Sequence, residues 1–184
     1  MAMTGDSVKI RPAGYSGAAK ALHWIMGIII LCLVPAGLAM THMAEGPAQN
    51  SLFSLHEEFG FLILWLAVLR LWVRRTRGAP APAAGLTRFE RIASTATHHL
   101  LYLLMFAMPL LGWFGKSAYG SKISLFGLVD VPALLPKNEA VSDALFLLHD
   151  IGGYLIAGLL VLHIGGAFMH AFVKGDGVFQ RMLP

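Results

Sequence analysis

A long apolar run that carries three histidines limits what this chain can fold into. It extends from Phe146 to His170 and has two further histidines within it, His149 and His163. A membrane-spanning helix needs about 20 consecutive apolar residues, so the run predicts a span rather than a helix on the surface of a soluble protein. At about 3.6 residues per turn, the step from His149 to His163 returns to nearly the same face of the helix, about 21 Å further along its axis. One helix therefore presents two imidazoles at two membrane depths.

The composition of the whole chain agrees with a membrane protein. Of its 184 residues, 57% are hydrophobic and 13% are charged, and the mean hydropathy is +0.67. The single cysteine, Cys32, excludes disulfides and thiolate-ligated metal clusters within one chain. The net charge of +4 is concentrated at the ends of apolar segments. That arrangement is typical of topology signals and predicts a lipid bilayer, not nucleic acid, as the partner.

Four apolar segments predict an all-α, four-helix transmembrane bundle in a single domain. The predicted spans are about 21–43, 55–73, 97–114 and 143–173. Pro35 and Pro109 are expected to kink the first and third spans. The first span shows no clear cleavage site and is expected to stay in the membrane. A loop of about thirty residues between the last two spans is long enough to fold over one membrane face.

The distribution of lysine and arginine predicts the orientation. Four spans place both termini on one side. That side carries eleven of these residues and the opposite side carries three. By the positive-inside rule, both termini are expected in the cytoplasm.

The eight histidines sort by depth into candidate pairs. His56 and His149 lie near the outer ends of the second and fourth spans, and His23 lies near the inner end of the first. His23 has two candidate partners, His163 and His170, because both fall on one face of the fourth span. Ionisable residues inside a membrane usually have a function, although a single histidine also serves to hydrogen-bond a neighbouring helix. Facing pairs favour bis-histidine haem ligation, since zinc prefers three or four clustered ligands.

Glycines follow three of these histidines at one helical turn. Gly27, Gly60 and Gly153 each come four residues after a histidine and therefore share its helix face. An absent side chain leaves room for a porphyrin. Close packing of two helices is the alternative explanation of the same glycines.

The sequence resembles the bacterial cytochrome b561 family, the small four-helix di-haem b-type cytochromes that include superoxide oxidase. The resemblance covers nearly the whole chain in the expected order. It is carried by ALHW in the first span, LHEEFG and VLRLWVRR in the second, HHLLYLLMFAMPLLGW in the third, LHDIGGY and VLHIGGAFMH in the fourth, and the closing RMLP.

The resemblance implies two b haems and assigns their axial ligands. His56 and His149 would hold the outer haem, and His23 and His163 the inner one, so that His163 is favoured over His170. His98 and His170 fall where the family often has histidine, which makes them candidates for a quinone pocket or haem pocket.

The resemblance also implies electron transfer from an outer donor, superoxide in the superoxide oxidases, to ubiquinone in the bacterial inner membrane. Lys116, Lys122 and Lys137 lie in or beside the long outer loop and are candidates for attracting an anion. Acidic residues in the same loop leave it near neutral, so these lysines are also explained as ordinary solvated charges.

Three functions stay open on the sequence. The favoured one is a self-sufficient oxidoreductase, superoxide:ubiquinone oxidoreductase. The second is an electron-transfer cytochrome b subunit that docks to a dehydrogenase or hydrogenase. The third, from a different class, is a transporter of metal ions or protons lined by histidine.

Overall fold

Four long helices make up most of the molecule in the computed structural model, which describes residues 14–83 and 85–184. The polar N-terminal segment with Lys9 and Arg11, counted in the orientation prediction, lies outside the described residues, as does Ala84 in the connector. The helices are α1 (Gly17–His42), α2 (Pro47–Arg77), α3 (Arg88–Tyr119) and α4 (Glu139–Phe168), and α4 continues as a π-helix over Met169–Lys174. All four are long and apolar enough to cross a membrane, which confirms the predicted four-helix transmembrane class.

The helices extend beyond the predicted spans because residues outside the apolar segments cap or start them. Thr87 caps α3 with a capping box, in which its hydroxyl accepts from the Glu90 backbone and its own N–H donates to the Glu90 carboxylate. Pro47 stands in the first turn of α2, where its missing N–H costs no helical hydrogen bond. Hydropathy alone detects neither signal. The loop before α4 is correspondingly shorter than predicted and runs from Gly120 to Asn138.

A small β-hairpin within that loop is an addition to the predicted all-α fold. Strands β1 (Ile123–Leu125) and β2 (Val129–Val131) pair in antiparallel register, Leu125 opposite Val129. Phe126 and Gly127 both have positive φ, 53° and 67°, which is the backbone pattern that matches the twist of a hairpin. The Phe126 N–H donates to the Glu58 carboxylate at 3.2 Å and thereby fastens the turn to α2.

The bundle is formed by α1 on α2, α2 on α3, and α3 on α4, whereas α1 and α4 touch at few points. The core between α3 and α4 is built from Leu104, Met108, Ile156 and Leu159. Large apolar side chains also cover the outer surface, and Trp65, for example, is 60% exposed. Such a surface suits lipid rather than water.

The two faces of the bundle carry different parts of the chain: the segments near the termini lie on one, and the β-hairpin lies on the other. At the termini face, the Tyr15 N–H donates to the Arg181 carbonyl at 3.2 Å and the Trp24 indole donates to the Met182 carbonyl at 2.9 Å. The Arg181 guanidinium donates to the Ala81 carbonyl of the α2–α3 connector at 2.7 Å. The opposite face, which carries the hairpin, is called the hairpin face. The assignment of the termini face to the cytoplasm stays a prediction.

Candidate functional site

A histidine pair lies between α2 and α4 toward the hairpin face. The ring centroids of His56 and His149 are 6.0 Å apart, and the planes of the rings are inclined by 68°. Both side chains are partly buried, so the pair lies between the helices and not on the outer surface.

A second pair lies toward the termini face, between α1 and α4. The ring centroids of His23 and His163 are 5.8 Å apart, and the planes are inclined by 69°. The geometry therefore brings His163, and not His170, to His23. His98 of α3 is a third ring at this level, with its centroid 5.2 Å from that of His163 and its plane at 89°.

The spacing of both pairs fits an octahedral iron between two imidazoles. Metal–imidazole bonds are about 2 Å long, which puts two axial rings with their centroids about 6 Å apart. Among residues 14–83 and 85–184, no group of three or more His, Cys, Asp or Glu side chains is arranged to hold a metal ion. A porphyrin needs only two protein ligands because it brings four nitrogens of its own. The residues present therefore fit haem.

The hydrogen bonds of the rings show which nitrogen is available for a metal. His149 lies with Nδ1 3.1 Å from the Met108 carbonyl, so the neutral ring carries its proton on Nδ1 and its lone pair on Nε2. His98 makes the corresponding bond to the Ser94 carbonyl at 2.6 Å. The Nδ1 atom of His56 is buried and has no hydrogen-bond partner in the part of the chain that the structure describes.

A cation stands beside the termini-side pair. Arg70 donates to the Ala19 carbonyl at 2.9 Å, and its second terminal nitrogen lies 3.3 Å from Nδ1 of His23. Its guanidinium also lies 5.9 Å from the ring centroid of Tyr102. Positive charge is thus held close to this pair, a position that suits the acidic groups at a porphyrin edge or anionic lipid.

The glycines predicted to leave room for a porphyrin face open space. A β-carbon built on Gly27, Gly60 or Gly153 would meet no atom of residues 14–83 and 85–184 within 4 Å, apart from the nearby backbone of its own helix. Two other glycines that the sequence did not single out contact the histidine rings. A β-carbon on Gly37 would lie 3.2 Å from Cε1 of His56, and one on Gly112 would lie 3.4 Å from Cε1 of His149. Both belong to neighbouring helices, and no spacing within one helix reveals them.

His170 has a separate environment at the termini face. It lies in the π-helical turn, is 9% exposed, and has Nδ1 2.6 Å from the Asp176 carboxylate. Desolvation acts to raise the pKa of Asp176, but hydrogen bonds from His170 and the Val178 N–H outweigh it and hold that pKa below its ordinary value. His170 is thus fixed to the C-terminal segment, seven residues beyond the paired His163.

The three lysines proposed to attract an anion have different surroundings. Lys116 lies in α3 and pairs with Glu57 at 2.6 Å, next to His56. Lys122 is exposed and lies 3.7 Å from Asp130. The side chain of Lys137 packs on Gly120 at the end of α3. Two of the three charges are therefore partly balanced by carboxylates.

Known proteins resemble this chain along nearly its whole length. The family model described as prokaryotic cytochrome b561 matches residues 14–184. Cytochrome b561 homolog 2 of Escherichia coli (strain K12) is 32% identical over 173 residues, 94% of this chain and 92% of that protein. Cytochrome b561 homolog 1 of the same organism is 25% identical over 167 residues, 89% and 93% of the two chains. A Yersinia pestis protein named "Probable superoxide oxidase CybB" is 23% identical over 174 residues, 92% and 96% of the two chains. The chain therefore belongs to the prokaryotic cytochrome b561 family of membrane electron-transfer proteins, in which the cofactor is b-type haem.

Proposed function

We propose that this chain is a di-haem cytochrome of the bacterial inner membrane, with both termini cytoplasmic, that passes electrons from a donor at the hairpin face to ubiquinone. His56 and His149 would hold one haem, and His23 and His163 the other. The observation that carries the proposal is the pair of facing imidazoles at each end of α4, at centroid distances of 6.0 and 5.8 Å.

Haem, when bound, supplies a carrier of single electrons. The residues of the chain supply its placement and surroundings. The Met108 carbonyl orients His149, and Arg70 keeps positive charge beside His23. The apolar side chains of all four helices exclude water from the path between the two levels.

The favoured donor is superoxide, and the reaction balances in electrons. Each superoxide loses one electron and becomes dioxygen, and two electrons with two protons convert ubiquinone to ubiquinol. The name of the Yersinia pestis relative supports this choice. Within the chain, the lysines near the hairpin face support it, because an anionic donor is attracted to positive charge beside the first electron acceptor. Lys116 is linked to this pair through its partner Glu57, which follows His56 directly.

The quinone is expected at the termini face. His98 and His170 both lie there, and each has its Nδ1 engaged by an acceptor, the Ser94 carbonyl and the Asp176 carboxylate. In each ring these bonds leave Nε2 for exchange of a proton with a quinone oxygen. A quinone site needs such polar groups beside an apolar wall.

Purified protein tests the proposal in two steps. The absorption spectrum of the reduced protein should contain b-type haem bands, and quantitation of haem should give two haems per chain. A superoxide source should then reduce the haem, and addition of a soluble quinone should reoxidise it. Superoxide dismutase is the control and should abolish the reduction.

Each failure has a distinct meaning. A protein purified without haem would contradict the cytochrome proposal and leave a histidine-lined transporter of protons or metal ions. Haem that superoxide does not reduce would contradict the oxidase proposal alone and favour an electron-transfer subunit that docks to a dehydrogenase or hydrogenase.

A further inference from the structure

The rings of the hairpin-side pair rest on two glycines from neighbouring helices. Gly37 of α1 lies behind His56, and Gly112 of α3 lies behind His149. A β-carbon on Gly37 would be 3.2 Å from Cε1 and 3.7 Å from Nδ1 of His56, and one on Gly112 would be 3.4 and 3.6 Å from the same atoms of His149. Both rings thus turn the same edge, Cε1 to Nδ1, toward a glycine.

The position of each glycine in its helix also determines which backbone carbonyl the neighbouring histidine ring can reach. Side chains on a helix point toward its N-terminus, so a side chain at position i covers the turn that contains residue i−4. Met108 lies four residues before Gly112, and its carbonyl accepts the hydrogen bond from His149. A β-carbon at position 112 would lie 3.6 Å from the Nδ1 atom that makes this bond.

The other ring has the glycine contact without the hydrogen bond. Leu33 lies four residues before Gly37, but Nδ1 of His56 makes no hydrogen bond to any of the described residues. The partner of the termini-side ring His23 is different in kind, because Arg70 and not a backbone carbonyl adjoins its Nδ1. No β-carbon built on a glycine of α1 to α4 in the described residues would contact His23 or His163, so the glycine contact is a feature of the hairpin-side pair.

We propose that Gly37 and Gly112 are positioning residues for the hairpin-side haem. Each lets one axial imidazole lie with its Cε1–Nδ1 edge against the backbone of a neighbouring helix, which fixes the direction of Nε2 toward iron. The proposal rests on the proposed function, because it assigns these residues to the haem ligated by His56 and His149. It differs from a role in porphyrin packing, since the contact is made with the ligand rings.

The test uses Gly37→Ala and Gly112→Ala in the full-length holoprotein, with Gly17→Ala as a matched control. Gly17 also lies in α1, but none of the described residues outside its own helix turn comes within 4 Å of the added carbon. Alanine is the better helix former, so any loss at positions 37 and 112 opposes helix propensity. We expect both variants to shift the low-spin ferric resonance and the midpoint potential of one haem, or to lose that haem, while the other haem keeps its signals. Gly37→Ala should have the larger effect because its contact is closer.

Two spectroscopic results would overturn the proposal. One is a pair of variants with both haem signals unchanged, and the other is an equal change in both haems, which would indicate general loosening of the bundle.

A stability cycle covers the case in which Gly37→Ala folds poorly or haem is absent from the purified protein. If position 37 acts through the ring of His56, then Gly37→Ala should cost little thermal stability once His56 is already alanine. An equal cost with and without the ring would show that Gly37 serves helix packing only, and would contradict the proposal. Because this cycle does not require haem, it separates failure of the positioning role from failure of the proposed function.

Discussion

Replacement of a single axial histidine should remove one haem and leave the other. His56→Ala deletes one ring of the hairpin-side pair, whose centroids lie 6.0 Å apart. The other pair is reached from His149 by fourteen residues along α4, about 21 Å of helix. Sites separated by more than about 10 Å without shared partners usually respond independently. The expected result is therefore a fall from two haems per chain to one.

The assay is the ratio of haem to protein in the purified variant, together with the potentiometric titration of its absorption bands. One of the two redox transitions should disappear, and the other should keep its midpoint. His42→Ala is the matched control, because His42 is exposed and bonds the Leu38 carbonyl of its own helix. It should retain both haems.

Double variants decide whether the pairing is correct. His56→Ala combined with His149→Ala should lose no more haem than either single variant, since both act on one site. His56→Ala combined with His23→Ala should lose both haems. Loss of both haems from His56→Ala alone, or full retention of both, would refute the assignment of ligands to pairs.

Three further outcomes follow from the contacts of single side chains. Gly115→Ala should lower the free energy of unfolding by about 1–3 kcal/mol, measured by thermal denaturation in detergent, because the added carbon would lie 2.9 Å from the Phe146 ring; an unchanged midpoint would contradict the tight packing of α3 on α4. Glu57→Gln should leave the Lys116 cation unpaired and raise the rate of haem reduction by superoxide severalfold at low salt, and a gain that persists at high salt would rule out electrostatic attraction. Asp176 has a pKa lowered from 3.8, so its stabilisation of the C-terminal segment is present above that pH and is lost as the pH falls below it. Proteolysis of the segment should therefore rise on acidification in the parent chain, whereas Asp176→Asn should be cleaved readily at all pH values. An Asp176→Asn variant that keeps the parent's pH dependence would contradict this role.

The sequence was sufficient to predict the four membrane-spanning helices; the depth of the histidines in the membrane stays a prediction. Hydropathy is a property of local segments, and the position of a histidine along a helix gives its depth directly. It also indicated three glycines that face open space, Gly27, Gly60 and Gly153, because residues four apart share a face.

Contacts between helices could not be predicted from hydropathy or from residue spacing within one helix. Nothing in the spacing of α1 or α3 shows that Gly37 lies behind His56 or that Gly112 lies behind His149, because the rotation of one helix against another is set by packing of the whole bundle. The same holds for His98, whose ring lies as near to His163 as that of His23 does. The helix ends were underestimated because capping by Thr87 depends on side-chain hydrogen bonds and not on hydropathy.

The contacts of the C-terminal segment bear on the order in which the molecule can be assembled. The bond from Trp24 to the Met182 carbonyl joins residues 158 positions apart, and the bond from Arg181 to the Ala81 carbonyl joins residues 100 positions apart. Residues Arg181 and Met182 follow all four spans in the chain, so these bonds cannot form until the fourth span has been synthesised. Closure between such distant positions is also slow, because the loop entropy is lost before the contact is gained. The termini face is therefore completed late in folding, after the helices that carry His23 and His163 have been made.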